Sequence, residues 1–202
     1  MIGLEKEFFL LDEKGVPQIL LPSIPMDESG ILAEARGEPS ESGVKAVYLL
    51  MAASRKVYRA VDQYNKANGT KLVLDDFPYR KIDRKTRIEL SRLYTKPISK
   101  FQNLYGFDSH RNSHSEQVAG IHVSFTEQRT VETKEGKVTY NQLFDFPTVM
   151  RKLDNTFKDE IKAAKRRAGF YEVKEDGRVE YRSLPSNTPL DKLIEFFEDE
   201  GY

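Results

Sequence analysis

No cysteine occurs among the 202 residues of the chain. That excludes disulfides, thiolate metal centres and a cysteine nucleophile together, and it fits a reducing compartment. Long apolar runs are also missing, since no stretch approaches the roughly 18 residues that a spanning helix needs. The opening Met1-Ile2-Gly3-Leu4-Glu5-Lys6-Glu7 is acidic where a secretory signal would be cationic and then apolar. The expectation is a cytoplasmic protein with no membrane contact. Neither sign of charge is in excess: Lys plus Arg number 32, as do Asp plus Glu, so nothing global points to nucleic acid or lipid. Histidine is confined to His110, His114 and His122. A metal site must therefore rest mainly on carboxylates, and such hard oxygen ligands favour magnesium or manganese.

Hydrophobic residues make up 39% of the chain, enough for a core. The length suits one domain over residues 1–202. Strands are expected at Ile2 to Leu11, Ile31 to Gly37, Gly120 to Thr126 and Val179 to Leu184. Tyr171 to Lys174 pairs with the last of these across an Asp176-Gly177 turn of type I′, with positive φ at both central residues. Glu135-Gly136 marks a second hairpin, joining Thr130–Thr133 to Lys137–Tyr140. A helix over Val44 to Ala67 places Val44, Val47, Tyr48, Met51, Tyr58 and Val61 on one face and ends at Gly69. A second, Pro147 to Ala168, carries Met150, Leu153, Phe157, Ile161 and Ala164, with Gly169 at C′ and the cations Lys165-Arg166-Arg167 at its negative end. The last begins at Thr188-Pro189, takes Asp191 as a capping-box acid, and buries Leu190, Leu193, Ile194 and Phe197. A short helix is expected at Thr86–Leu93, and loops at Asp75–Lys85 and Gly106–Gln117. Hairpins mixed with amphipathic helices predict an α+β fold, with a largely antiparallel sheet and helices on one face.

Residues two apart in a strand share a face. The rule groups Glu5 with Glu7, Glu34 with Arg36, His122 with Ser124 and Thr126, and Glu180 with Arg182. Lys6 points the other way, toward a partner on the helix-covered side or at an edge. The bland alternative is a sheet with one wet side. However, wet faces favour Lys and Thr, whereas this set holds four glutamates, two arginines and a histidine. Its flanks (Gly3, Phe9, Ala33, Ala35, Gly120) suit a shaped cleft. Gathered together, the acids would repel one another and raise their own pKa values. Divalent cations relieve that repulsion, and Arg36 and Arg182 supply forks for phosphate or carboxylate. Such equipment suits phosphoryl transfer.

These segments resemble a known family. Glu5-Lys6-Glu7 resembles the Glu-x-Glu first strand of glutamine synthetases and glutamate–cysteine ligases. Ala119-Gly120-Ile121-His122-Val123-Ser124 resembles their Gly-x-His-x-His strand, and Val179-Glu180-Tyr181-Arg182 their Glu-x-Arg strand. Ala33-Glu34-Ala35-Arg36-Gly37-Glu38-Pro39 resembles their second acidic strand. With Gly106-Phe107-Asp108-Ser109-His110-Arg111-Asn112 ahead of the histidine strand, the chain looks like the small phage-associated carboxylate–amine ligases of the phiEco32-like type 2 group.

The resemblance implies a mostly antiparallel, curved sheet of glutamine-synthetase type with helices packed on one face. It implies ATP and two magnesium or manganese ions as cofactors. Glu5, His122 and Glu180 would hold one ion between the β- and γ-phosphates. Glu7 and Glu34 would hold the other, with Glu38 in reserve. Arg182 would stabilise the transferred phosphoryl group and Arg36 would grip a substrate, while Arg182, Ser124 and His122 would contact the nucleotide. A carboxylate would become an acyl phosphate, and an amine would displace phosphate to leave an amide or isopeptide bond. Ser124 departs from the pattern, standing where many relatives have a second histidine. The acid and amine could be amino acids, peptides, a protein side chain or a modified nucleotide. A homodimer is compatible with the short chain, and a phage-encoded enzyme would work in the host cytoplasm. Two alternatives stay open: phosphotransfer to a guanidino or other small substrate, and a non-catalytic binding module that keeps the fold.

Overall fold

The computed structural model describes residues 1–19, 23–26, 31–82, 116–142, 145–174 and 176–202. Its main sheet runs β2 (Leu32–Arg36), β1 (Ile2–Leu11), β6 (Gly120–Phe125), β10 (Val179–Pro185), β9 (Tyr171–Val173). A further strand, β3 (Val73–Asp75), joins the sheet beside the end of β1: Phe9 faces Leu32 on one side and Asp75 on the other. Two separate ribbons pair β4 (Tyr79–Lys81) with β5 (Glu116–Val118) and β7 (Glu127–Thr133) with β8 (Gly136–Gln142). Every strand pairing among the described residues is antiparallel. With helices α1 (Gly43–Asn68), α2 (Phe146–Thr156), α3 (Lys158–Ala163) and α4 (Leu190–Glu200), the class is α+β. None of these helices is long and apolar enough to cross a membrane.

Strand alternation decides which face is covered. The even residues Leu4, Phe8 and Leu10 of β1 join Ala33, Ala35, Ile121, Val123 and Tyr181 in one buried cluster with side chains from all four helices. Because Ala33 and Ala35 are small, α1 lies close against β1 and β2. At Gly37, just past β2, a Cβ would come within 2.9 Å of the Leu50 amide nitrogen. On the opposite face, Phe9, Leu11, Leu32, Ile82 and Ala119 form a smaller buried cluster beyond Glu7. It closes one end of the polar face.

Several expectations are corrected. Residues 75–82 are not one loop, for they hold the end of β3 and all of β4. The buried stripe of α1 is Ala46, Val47, Leu50, Val57 and Val61. Tyr48 and Tyr58 lie on the exposed side, whereas Val47 and Val61 of the expected face are buried. The end of the helix follows the sequence, with Gly69 at φ 63°; its start is capped by Ser42, which accepts from the Lys45 amide. The helix expected over 147–168 divides at Phe157 and stops at Ala163, where Lys165 takes a left-handed φ of 54°. The Arg166 amide then reaches back to the Ile161 carbonyl, a Schellman-type end made without glycine. The capping box of α4 does not form, since Thr188 donates its hydroxyl to the Pro185 carbonyl and Pro189 stands at the N-cap.

The β9–β10 turn is also different. The Gly177 amide bonds to the Lys174 carbonyl and the Lys174 amide to the Arg178 carbonyl, and of Asp176 and Gly177 only the glycine has positive φ. The connection is thus a three-residue loop rather than a two-residue type I′ turn. It places Glu172 opposite Glu180, where a two-residue loop would have placed Val173; one residue of register flips every side chain to the other face. The expected helix at 86–93, most of the expected loop at 106–117, and His110 and His114 lie outside the described residues.

Gly37→Ala is expected to destabilise the protein by about 1–3 kcal/mol, because the added methyl meets helix backbone rather than a yielding side chain. Urea denaturation checks this; an unchanged midpoint would show that α1 is free to move away.

Candidate metal-binding site

The site is a product of register. On one side of β1, Glu5 stands opposite Arg36 and Glu7 opposite Glu34. On the other, Glu5 stands opposite His122 and Gly3 opposite Ser124. Ser124 in turn faces Glu180 on β10, and Glu180 faces Glu172 on β9. Three adjacent strands thereby converge on His122. Its Nδ1 lies 3.8 Å from Glu5 Oε2 and 3.5 Å from Glu180 Oε1, and its Nε2 lies 3.7 Å from Glu7 Oε1. His122, Glu7 and Glu180 are each about 2% or less exposed.

Buried acids at this density need cations. Arg36 Nε pairs with Glu34 Oε2 at 2.7 Å and reaches Glu5 Oε1 at 3.7 Å. Arg182 Nη1 sits 2.8 Å from Glu180 Oε1 and also bonds Glu172. Lys174 Nζ joins the same two acids, at 2.9 Å from Glu172 and 3.4 Å from Glu180. Protonation follows from this arrangement. Burial alone would raise Glu5, but the adjacent His122 and the Arg36 charge hold it at about 2. Burial raises Glu34 to about 7, helped by the Glu5 charge and opposed by Arg36. Burial opposes a charge on His122, yet Glu7, Glu5 and Glu180 lift it to about 9. Burial also raises Glu180, with Glu5 adding and His122 and Lys174 subtracting.

The donor set fits a divalent cation. One ligand atom each from Glu5, His122 and Glu180 lies within 4.8 Å of the other two. Ligands around a hard ion at about 2.0–2.2 Å stand roughly 3–4.4 Å apart, so a small inward rotation of side chains closes the set. Glu7 and Glu34 flank this triad without joining it. Glu7 Oε2 accepts from the Gly120 amide at 2.7 Å, and Glu34 is held by Arg36. Among the described residues, the triad is the one grouping of three metal-capable side chains. Glu38 lies exposed beyond β2. Asp75 pairs with Arg80 and Asp76 with Lys6, which sits on the helix-covered side of β1 as its alternation requires. A cleft of about 240 Å³ opens next to Glu5, lined by Gly3, Ser124, Pro39 and the hairpin residues Asp176 and Arg178.

The chain matches no family model, no curated protein and no solved structure.

Three contributors are not evident from the sequence. Glu172 and Lys174 reach the site face only through the three-residue loop. Arg166, expected to serve its own helix end, instead donates Nε to the Ser183 carbonyl at 3.0 Å and Nη1 to the Ala119 carbonyl at 3.1 Å, and bonds the Arg182 carbonyl as well. These carbonyls surround the irregularity where β10 shifts register against β6, between Tyr181 and Leu184. The guanidinium so braces the segment that carries Arg182, directly beneath Gly120, where a Cβ would lie 2.9 Å from both Arg166 Nη2 and the Leu184 carbonyl.

A pH dependence follows. His122 and Glu34 have folded values above their ordinary ones, so their contributions to stability are complete at low pH and fade as pH rises. Glu34 loses its share between about 4.5 and about 7, and His122 between 6.5 and about 9. Glu5 acts oppositely, its share being lost as pH falls from 4.5 toward about 2. Thermal denaturation in chelator should therefore show stability declining from pH 6.5 to 9, with the slope reduced in His122→Gln. A wild-type profile flat over that range would contradict the assignment.

Proposed function

We propose that the protein is an ATP- and divalent-metal-dependent carboxylate–amine ligase on a glutamine-synthetase-like sheet, akin to the small phage-associated amidoligases. The observation that supports it most is the convergence of Glu5, His122 and Glu180 from three strands, with Arg182 ion-paired to the last of them. The motif resemblance concerns these same residues. A divalent ion held there would offset the carboxylate charge and polarise phosphate oxygens. A second ion, if bound, would use Glu7 and Glu34.

The chain's own groups divide the remaining work. Arg182 is held at one nitrogen, Nη1, by both Glu180 and Glu172, so the side chain is placed before a ligand arrives. It is suited to hold the oxygens of the phosphoryl group in transfer. Arg36 leaves 63% of its side chain exposed and is placed to take the substrate carboxylate. In the cleft beside Glu5, Ser124 offers a hydroxyl in place of a histidine, enough for a phosphate contact. A carboxylate oxygen forms a bond to the γ-phosphorus as the bond to the ADP oxygen breaks. An amine nitrogen then attacks the acyl carbon, phosphate leaves, and the amine proton passes to solvent or to an adjacent carboxylate.

Calorimetry with a non-hydrolysable ATP analogue and Mn²⁺ tests this reading. Wild type should bind the pair, and Glu5→Gln or Glu180→Gln should weaken it by at least about 100-fold, beyond the effect of losing an outer-shell partner, while circular dichroism stays unchanged. A folded wild type that binds neither metal nor nucleotide would overturn the proposal. Binding followed by phosphate release only when an acid and an amine are supplied together would identify the substrates.

A further inference from the structure

Glu180 has more cations around it than any other acid of the site. His122 Nδ1, Arg182 Nη1 and Lys174 Nζ lie 3.5, 2.8 and 3.4 Å away, all measured to the same oxygen, Oε1. A divalent ion taken up by the triad draws on this carboxylate, and the three cations are not equally able to give way. His122 is itself a member of the triad. Arg182 is 6% exposed and its Nη1 is tied to two acids at once. Lys174 has a flexible stem, 27% of its side chain is exposed, and it stands next to the loop of the edge hairpin. It also has an alternative anchor in Glu172, 2.9 Å away, so it can leave Glu180 without becoming unpaired. A compact ammonium imposes little directional demand on its partners.

The surroundings indicate where it would turn. The loop that follows Lys174 contributes Asp176 and Arg178 to the cleft beside Glu5, and the Lys174 amide is bonded to the Arg178 carbonyl. We propose that Lys174 is a stand-in cation: it neutralises Glu180 in the metal-free protein, yields that carboxylate when a divalent ion arrives, and then contacts the phosphate oxygens of the nucleotide in the adjoining cleft. The proposal rests on the metal and nucleotide reading of the preceding subsection.

Lys174→Met keeps the apolar stem and removes the charge. Titrated with Mn²⁺ alone, it should bind about two- to fivefold more tightly than wild type, because a competing charge is gone. Titrated with the ATP analogue at saturating Mn²⁺, it should bind about ten- to a hundredfold more weakly, having lost one charge-assisted contact. Lys174→Arg should recover most of the nucleotide affinity. Opposite signs in the two titrations are the signature, since a merely structural role would weaken both. Unchanged or weaker Mn²⁺ binding in Lys174→Met, beside normal binding by wild type, would overturn the role of Lys174 and leave the metal site standing. Mn²⁺ binding by neither protein would remove the metal reading and this proposal together. Binding by Lys174→Met alone would show the lysine excluding the ion rather than yielding to it, and would likewise overturn the proposal.

Discussion

The pairing of β1 with β6, which sets Glu5 opposite His122, is the constraint from which the site is built. It is enforced from the other face. Leu4, Phe8 and Leu10 alternate into the helix-covered core, as do Ile121 and Val123. A slip of one residue in either strand would push those side chains out of the core and turn the acids inward. The hydrophobic packing and the polar constellation are thus two readings of one register, and the core protects the chemistry without touching it.

The crowding of acids on the polar face has to be offset. His122 is drawn toward its protonated form, Arg36 takes Glu34, and Arg182 and Lys174 share Glu180 and Glu172. The arrangement is neutralised by two partly exposed side chains at its margins, Arg36 and Lys174, by the buried Arg182, and by a titratable group at its centre. Arg36 and Lys174 keep part of their side chains in solvent and can swing away, whereas His122 and Arg182 are buried, and removal of a partner from a buried pair is costly.

Sequence and structure agree where alternation is sharp. β1 runs from Ile2 to Leu11 in both, and the grouping of Glu5 with Glu7, Glu34 with Arg36 and Glu180 with Arg182 survives. Loop length was not legible. Asp176-Gly177 has the composition of a two-residue turn, and only the hydrogen bonds reveal the additional residue that brings Glu172 and Lys174 to the site. The end of α3 was hidden for a related reason. Its left-handed residue is Lys165, an identity with no preference for positive φ, so Arg166 looked like part of a helix terminus rather than a brace for β10. In α1 Val47 and Val61 are buried as expected, but Tyr48 and Tyr58 of the same expected face are exposed and Ala46, Leu50 and Val57 are buried instead.

Pulsed electron paramagnetic resonance on bound Mn²⁺ addresses the central claim most directly, using protein labelled with ¹⁵N only in histidine and the same protein carrying His122→Gln. The account predicts a nitrogen coupling of the strength expected for a directly coordinated imidazole in the wild type, absent from the variant. Mn²⁺ bound with no imidazole nitrogen, or a coupling that persists after His122 is replaced, would contradict it.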